Sequence, residues 1–425
     1  MDVSPIVFIE LQGKQVPAGR LRIVEDGRYS RSEFAYGRRY LERPDAVALD
    51  PVQLPLGPDL MVTGEDYGLF NAIRDASPDA WGRKLIDRFL LRTQGRPAGE
   101  IEYLLASQSG NRIGALRFGP DAKGPGSVLD IGLDSSEIDF GDLAAFQELV
   151  EALERGDPLP HRLAEFVAPG SDLGGARPKG TVTIDGFPWL VKFGLDRDRY
   201  HMASVEAGCL DLCEMAGLET CERQVMDVAG RPALLLRRFD REMSEEGTVR
   251  RRHMISSLTL LGAHEADRGV SGYADIHDAL RRHGTGNHGE TIFRRMVMNV
   301  LCGNTDDHYR NHAFLLEANG QYAPSPVYDV TPTLQASPTR HLFLHLGKAG
   351  CGREASLEAA VAGAASLGLS RGQAVSIAND LSEMVSARWR EVMAARGATE
   401  DDITMIAGAF SQAGRKIEAD CDFEP

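Results

Sequence analysis

Two segments of this chain hold a distinctive set of polar side chains: Asn304-Thr305-Asp306-Asp307-His308-Tyr309-Arg310-Asn311 and, further on, Tyr328-Asp329-Val330. Between them, two short apolar runs flank Asn319-Gly320, a dipeptide typical of tight hairpin turns. A hairpin at this point turns the chain back on itself. The sequence therefore predicts that Asp329 returns to the side of Asn311.

The order of carboxylate, amide and second carboxylate suits the transfer of a phosphoryl group. That reaction needs a carboxylate that orients the attacking hydroxyl and accepts its proton, together with oxygen ligands that hold Mg²⁺ against the phosphates. We assign the orientation and deprotonation of the hydroxyl to Asp306, and the binding of Mg²⁺ to Asn311 and Asp329. The plain alternative is that these residues only form turns, because Asp and Asn are common there and short motifs often match by chance.

The chain upstream contains candidates for the rest of a nucleotide site. A glycine-rich stretch over 170–179 lets backbone N–H groups approach phosphate oxygens. Lys192 lies in an apolar strand predicted over 188–193, where a charge needs an anionic partner. Glu206, on a helix predicted to begin near Met202, can pair with Lys192. A surface loop, an edge-strand lysine and a solvated glutamate are the simpler interpretations, but their order along the chain favours an ATP-dependent phosphotransferase.

With these motifs, the chain resembles the HipA-type toxins, which are serine/threonine protein kinases of bacterial type II toxin–antitoxin systems. The strongest motifs are Gly174-Gly175-Ala176-Arg177-Pro178-Lys179, Leu190-Val191-Lys192-Phe193, Arg238-Phe239-Asp240-Arg241 and the block from Asn304 to Asp329. Looser similarity appears earlier, at Leu54-Pro55-Leu56, Phe70-Asn71, Ser77-Pro78-Asp79 and Arg112-Ile113-Gly114-Ala115-Leu116. The resemblance thus covers nearly the whole chain.

The resemblance implies an α+β, protein kinase-like (HipA-like) fold with a small β-rich N-terminal subdomain and a mostly helical C-terminal lobe. We expect the N-terminal subdomain over 1–120, the nucleotide-binding lobe over 140–240, and the helical lobe with the catalytic and metal residues over 241–425. Periodicity predicts helices near 66–91 and 142–154, and in the second half near 255–261, 292–301, 357–367, 374–392 and 403–409.

The resemblance also implies a role for each matching residue. Asp306 is the catalytic proton acceptor, Asn311 and Asp329 bind Mg²⁺, and Glu206 supports Lys192. The residues expected to bind ATP are Gly174, Gly175, Ala176, Arg177, Pro178, Lys179, Lys192, Arg237, Arg238, Phe239, His308, Asn311, Tyr328 and Asp329. Among these, 237–239 form the hinge that contacts adenine through the main chain, although the family often has Glu where this chain has Arg237.

Regulation is where the sequence departs from the family pattern. Members of the family phosphorylate a Ser in the glycine loop and thereby inactivate themselves. The ungapped match places Asp172 at that position, whereas Ser171 lies one residue earlier. Ser171 is therefore the candidate acceptor if the loop tolerates a shift, and otherwise this control is absent.

The implied function is an ATP- and Mg²⁺-dependent kinase that phosphorylates an aminoacyl-tRNA synthetase, arrests growth and so promotes persistence. The implied partner is a helix-turn-helix antitoxin of the HipB type. A net charge of −15 disfavours direct DNA binding, so we expect contact with operator DNA only through the antitoxin. The alternatives are a small-molecule or lipid-type kinase, and a pseudokinase that acts as a corepressor with such a partner.

Composition favours a cytoplasmic enzyme. The N-terminal residues lack a basic start and have only a short apolar run, so we expect neither a signal peptide nor a membrane segment. The six cysteines show no zinc-binding spacing and are expected to be reduced and chiefly buried.

Overall fold

The protein is described here from a computed structural model, which covers residues 1–26, 29–64, 68–106, 111–131, 142–157, 177–264, 267, 269–335, 337 and 339–418. The chain divides into two compact units. The first comprises Met1–Asp196, Met226–Gly262 and Leu315–Gly320, and the second comprises Arg197–Val225, Ala263–Phe314 and Gln321–Pro425. The three-part division drawn from the sequence remains a prediction.

An antiparallel six-stranded sheet opens the first unit. Its strands are Asp2–Val3, Ile6–Leu11, Lys14–Asp26, Tyr29–Tyr36, Met61–Val62 and Leu116–Gly119. A two-residue turn with positive φ at Gln12 and Gly13 joins the second and third strands, as a tight hairpin requires. Apolar side chains such as Ile9, Leu21 and Phe34 are fully buried and form the core of this subdomain.

In the described part of the first unit before residue 177, the helices are Arg38–Leu41, Asn71–Asp75, Ala80–Gln94, Glu100–Leu105 and Leu143–Arg155. The prediction of one continuous helical stretch over 66–91 was wrong, because two separate helices lie on either side of Ser77-Pro78-Asp79. The ring of Pro78 disfavours helical backbone at Ser77, and the first helix ends two residues earlier, at Asp75. The helix predicted over 142–154 is confirmed and ends at Gly156, which adopts a left-handed conformation.

Strands Lys179–Ile184, Phe187–Lys192, Arg231–Arg237 and Arg223–Val228 form, in this order, a four-stranded sheet that carries several of the predicted nucleotide-binding residues, and its first three strands are antiparallel. Trp189 and Val191 on this sheet pack in one apolar core with Phe89 and Phe146 of the two long helices. Strand Arg223–Val228 follows a loop after the Glu206 helix.

Short elements complete the first unit: strands Arg241–Met243, Val249–Arg251 and Met254–Ser256, and helix Ser257–Leu261. The helix predicted over 255–261 was wrong at its start, where the chain is still a strand. The side chain of Ser256 accepts a hydrogen bond from the backbone N–H of Thr259 and caps the helix.

The second unit is mostly helical, as predicted. Its α-helices are Met202–Met215, Tyr273–His283, Gly289–Cys302, Leu357–Gly363, Arg371–Ala395 and Glu400–Ile406, and its 3₁₀ helices are Tyr309–Asn311, Ala364–Leu367 and Ala407–Phe410. Strand Tyr322–Pro324 lies within it, and strand Ala313–Leu316 begins in it. None of the helices in the described part of the chain is both long enough and apolar enough to cross a bilayer.

Candidate active site

The loop from 303 to 312 connects helix Gly289–Cys302 to strand Ala313–Leu316. Gly303 ends the helix in a left-handed conformation, with φ of 64°. Its carbonyl accepts a hydrogen bond from the N–H of Thr333 at 3.0 Å, and the N–H of Thr305 donates to Thr333 Oγ1 at 3.2 Å. The start of the loop is therefore fixed to the segment that follows Asp329.

Asp306 is exposed on this loop, while its main chain is held from two sides. Its carbonyl accepts hydrogen bonds from the N–H of His308 at 2.8 Å and from Nδ2 of Asn311 at 3.0 Å. Because the Asn311 amide nitrogen is used in this way, its Oδ1 is the atom left to bind a metal. An accessible carboxylate and an oriented amide oxygen thus lie on one short loop.

The chain returns to this loop through the predicted hairpin. Gly320 has a positive φ of 79°, and its N–H donates to the Glu317 carbonyl at 2.9 Å, so a turn is confirmed there. The hydroxyl of Tyr328 then donates to the carbonyl of Arg310 at 2.5 Å. The residues just before Asp329 and just before Asn311 are therefore in direct contact.

Asp329 has φ of 60°, a conformation that residues other than glycine seldom adopt. Its side chain is half-buried. Backbone strain of this kind is frequent where a side chain must point in a particular direction for function. The conformation is consistent with a metal-binding role, which remains a prediction.

His308 has a structural role that the sequence did not predict. Its Nδ1 accepts a hydrogen bond from the N–H of Arg310 at 3.2 Å and caps the 3₁₀ helix Tyr309–Asn311. Its ring lies edge-on to Phe343, with 6.1 Å between ring centroids. Contact between His308 and a nucleotide stays a prediction.

Two buried lysines lie next to each other on the sheet of the first unit. Lys179 and Lys192 are directly opposite in the antiparallel pairing of their strands, and both are buried. Residues paired in this way project from the same face of a sheet, where like charges repel. Phosphate groups are anions that can offset such repulsion and the cost of burial. Binding of a nucleotide by these two lysines stays a prediction.

The predicted hinge follows strand Arg231–Arg237. The guanidinium of Arg237 lies over the ring of Phe187, 3.8 Å from its centroid. Arg238 is buried and donates to the carbonyl of Asn111 at 2.6 Å and to Asp240 at 2.7 Å. The side chains of Arg237 and Arg238 are therefore used in contacts within the first unit. The prediction that the main chain of 237–239 contacts adenine remains open.

A buried ion cluster around Asp240 explains the motif Arg238-Phe239-Asp240-Arg241. Asp240 also accepts hydrogen bonds from Arg241 at 2.7 Å and from the N–H of Gly114 at 2.8 Å. Burial alone raises the pKa of a carboxyl, but Arg238 and Arg241 outweigh it and hold the pKa of Asp240 well below its usual range. The alternation of basic and acidic residues was visible in the sequence, whereas its partner segment at 111–114 was not.

Glu206 is buried on helix Met202–Met215 of the second unit. Its proposed partner, Lys192, belongs to the first unit, and their pairing remains a prediction. Gly174, Gly175 and Ala176 of the glycine loop lie outside the described residues, as do Ser171 and Asp172. The described chain resumes at Arg177, and the carbonyl of Pro178 accepts a hydrogen bond from the N–H of Phe193 at 3.1 Å.

The α+β architecture that carries this site is the fold of HipA. The solved structure described as Shewanella oneidensis MR-1 Toxin Antitoxin System HipA, HipB and its operator DNA complex matches 97% of this chain and 97% of its own chain, with a TM-score of 0.60. The two chains are 16% identical, so this similarity establishes the fold alone. The fold class predicted from the sequence is confirmed.

Residues 171–389, just over half of the chain, match the family described as HipA-like C-terminal domain. The chain belongs to this family.

Two relatives from Sinorhizobium fredii (strain NBRC 101917 / NGR234) are also similar. The one named "Putative kinase Y4dM" is 28% identical over 258 residues, and the one named "Putative kinase Y4mE" is 27% identical over 135 residues. These matches span 56% and 30% of this chain, and 60% and 32% of the relatives' own lengths.

Proposed function

We propose that this protein is an ATP- and Mg²⁺-dependent serine/threonine protein kinase and the toxin of a toxin–antitoxin pair. The observation that carries the proposal is the loop on which Asp306 is exposed while Asn311 Nδ2 is bonded to its carbonyl. This arrangement offers a carboxylate to a substrate and an amide oxygen to a metal. Membership of the HipA-like family supports the same reaction.

In the proposed reaction, Asp306 accepts the hydrogen bond of a serine or threonine hydroxyl and directs its oxygen towards the γ-phosphorus of ATP. As the new P–O bond forms and the bond to ADP breaks, the hydroxyl proton passes to Asp306. Asn311 and Asp329 are the residues that would hold Mg²⁺, which neutralises phosphate charge when bound. Lys179 and Lys192 supply positive charge to the phosphates.

The proposed substrate is an aminoacyl-tRNA synthetase, and its phosphorylation would arrest growth. The proposed partner is a helix-turn-helix antitoxin, because the similar Shewanella structure contains HipA together with HipB and operator DNA. Both assignments rest on family similarity. A cytoplasmic location follows from such a substrate.

The proposal is tested by incubating the purified protein with γ-labelled ATP and a cell lysate. Asp306→Asn keeps the size of the side chain but accepts a proton poorly, so we expect ATP binding to persist and labelling to be lost. The matched control is Asp401→Asn, an exposed carboxylate on a helix of the same unit. We expect this control to label like the wild type.

The labelled product distinguishes the alternatives. Label in a protein of synthetase mass supports the proposal, whereas label confined to extracted small molecules favours a small-molecule or lipid-type kinase. Wild-type labelling by Asp306→Asn would show that the proton acceptor is another residue. Absence of transfer by the wild-type protein, with ATP still bound, points to a pseudokinase that acts as a corepressor.

A further inference from the structure

Asp307 differs sharply from its neighbour Asp306. Asp306 is exposed, whereas Asp307 is only 3% exposed. The hydroxyl of Tyr273 donates a hydrogen bond to Asp307 Oδ2, and the ring Nε2 of His312 lies 2.8 Å from the same oxygen. A buried carboxylate is costly unless donors surround it, and these two side chains provide them.

The hydrogen bonds around Asp307 continue into both helices beside the loop. Asn299 Nδ2 donates to the hydroxyl of Tyr273 at 3.2 Å, and Asn304 Nδ2 donates to Asn299 Oδ1 at 2.9 Å. Tyr273 begins helix Tyr273–His283, and Asn299 lies in the last turns of helix Gly289–Cys302. The network therefore joins two helices to the start, the middle and the end of one loop.

Close packing leaves this network little room to rearrange. The rings of Tyr273 and His312 meet edge to face, with 5.6 Å between their centroids. The adjoining cavity, lined in part by Asn299, Asp307 and Asn311, has room for about one water molecule. A packed and hydrogen-bonded side chain of this kind restricts the backbone that carries it.

We propose that Asp307 is a positioning residue for phosphoryl transfer, anchored by Tyr273 and His312. Because Asp307 is held in the interior, the side chain of the preceding residue, Asp306, is directed outward. The turn that follows Asp307 then places Asn311. Asp307 itself touches neither substrate nor metal in this assignment. The assignment rests on the proposed kinase function, because positioning matters only if Asp306 and Asn311 act on a substrate.

The sharpest test is Tyr273→Phe, which removes one hydroxyl and leaves the ring in place. We expect kcat for protein phosphorylation to fall by about tenfold to a hundredfold, since small displacements of reacting groups have effects of that size. We expect the KM for ATP to change by less than about twofold, because the nucleotide contacts are retained. Amide hydrogen exchange in peptides covering 303–312 should become faster, with peptides elsewhere unchanged.

Tyr36→Phe is the matched control. The hydroxyl of Tyr36 is also buried in two hydrogen bonds, donating to the Leu54 carbonyl at 2.6 Å and accepting from the Leu49 N–H at 2.9 Å, but it belongs to the first unit. We expect this variant to keep the wild-type kcat and the wild-type exchange in 303–312. Asp307→Asn, which keeps the side-chain shape, serves as the second variant if Tyr273→Phe does not fold.

The outcomes separate this inference from the proposed function. A wild-type kcat in Tyr273→Phe overturns the inference, as does a loss of activity accompanied by faster exchange throughout the protein. If the wild-type protein transfers no phosphate, the kinase proposal fails on its own. Faster exchange confined to 303–312 would then still show that the network holds the loop, and unchanged exchange there would overturn the inference as well.

Discussion

At the scale of single residues, the proposed metal site makes a prediction about Asp329. Removing its carboxylate in Asp329→Ala deletes a Mg²⁺ ligand, so we expect the affinity for ATP in the presence of Mg²⁺ to fall by about tenfold or more. Affinity measured with EDTA should not change. Isothermal titration calorimetry with and without Mg²⁺ provides both values.

The positive φ of Asp329 requires a second variant, because alanine adopts that conformation less readily than aspartate or asparagine. Asp329→Asn keeps the shape and the backbone preference while removing the charge. A similar loss in both variants attributes the effect to the missing carboxylate charge and not to the backbone conformation. Unchanged Mg²⁺-dependent affinity in both would place the metal site elsewhere.

Another residue-scale prediction concerns Asp50, which is fully buried in the N-terminal subdomain. Its Oδ1 accepts hydrogen bonds from the N–H groups of Val52 at 2.8 Å and Gln53 at 3.0 Å. Burial nevertheless dominates and raises the pKa of Asp50 from 3.8 to about 7. Between about pH 4 and 7, the folded protein therefore keeps a proton on Asp50 that the unfolded chain releases. The contribution of Asp50 to the free energy of unfolding is largest below about pH 4 and declines as the pH rises to about 7.

Asp50→Asn imitates the protonated side chain and keeps an oxygen for both N–H groups. We expect it to be more stable than the wild type at pH 8, by about 1–2 kcal/mol, and to lose that advantage by pH 4. Urea unfolding of both proteins across this pH range measures the difference. The exposed Asp59→Asn is the control, and a difference for Asp50→Asn that does not vary with pH would contradict the prediction.

At the scale of structural elements, the ion cluster of Asp240 joins the end of strand Arg231–Arg237 to the segment at 111–114. Asp240→Asn removes the negative charge between Arg238 and Arg241 and leaves two buried cations without it. We expect a loss of about 3 kcal/mol in the free energy of unfolding. Denaturant unfolding at neutral pH measures it.

The exposed pair of Arg38 and Glu42, 3.0 Å apart, supplies the control for Asp240→Asn. Glu42→Gln removes a carboxylate from an ion pair in water, so we expect a loss of no more than about 0.5 kcal/mol. Equal, small losses in the two variants would mean that the buried cluster contributes little to stability.

The same elements show what the sequence can and cannot predict. The loop at 304–311, its hairpin and the strands around Lys192 were predictable, because turn residues and apolar alternation act over short distances along the chain. The bond from Arg238 to Asn111 joins residues 127 positions apart, and no local pattern encodes such a contact. Likewise, the motif marks Asp306 as the proton acceptor, but no local pattern indicates that Asp307 is buried against Tyr273 and His312.

At the scale of the whole molecule, charge limits how the protein can contact DNA. Its formal net charge is −15, and DNA binding depends on cations that neutralise phosphates. The stretch Ala364-Ala365-Ser366-Leu367-Gly368-Leu369 of the second unit has no basic residue. Ala364–Leu367 form a 3₁₀ helix that ends at Gly368, and Leu367 is fully buried.

We therefore expect the isolated protein not to bind the DNA upstream of its own gene at about 0.15 M salt, where contacts made by few cations are weak. Together with the proposed helix-turn-helix antitoxin, it should join a complex with that DNA. Fluorescence anisotropy of labelled DNA with each protein alone and with both measures this, and a scrambled duplex of equal length is the control. Specific binding by the isolated protein would show that a local basic surface overrides the net charge, and it would remove the argument that DNA contact comes only through the antitoxin.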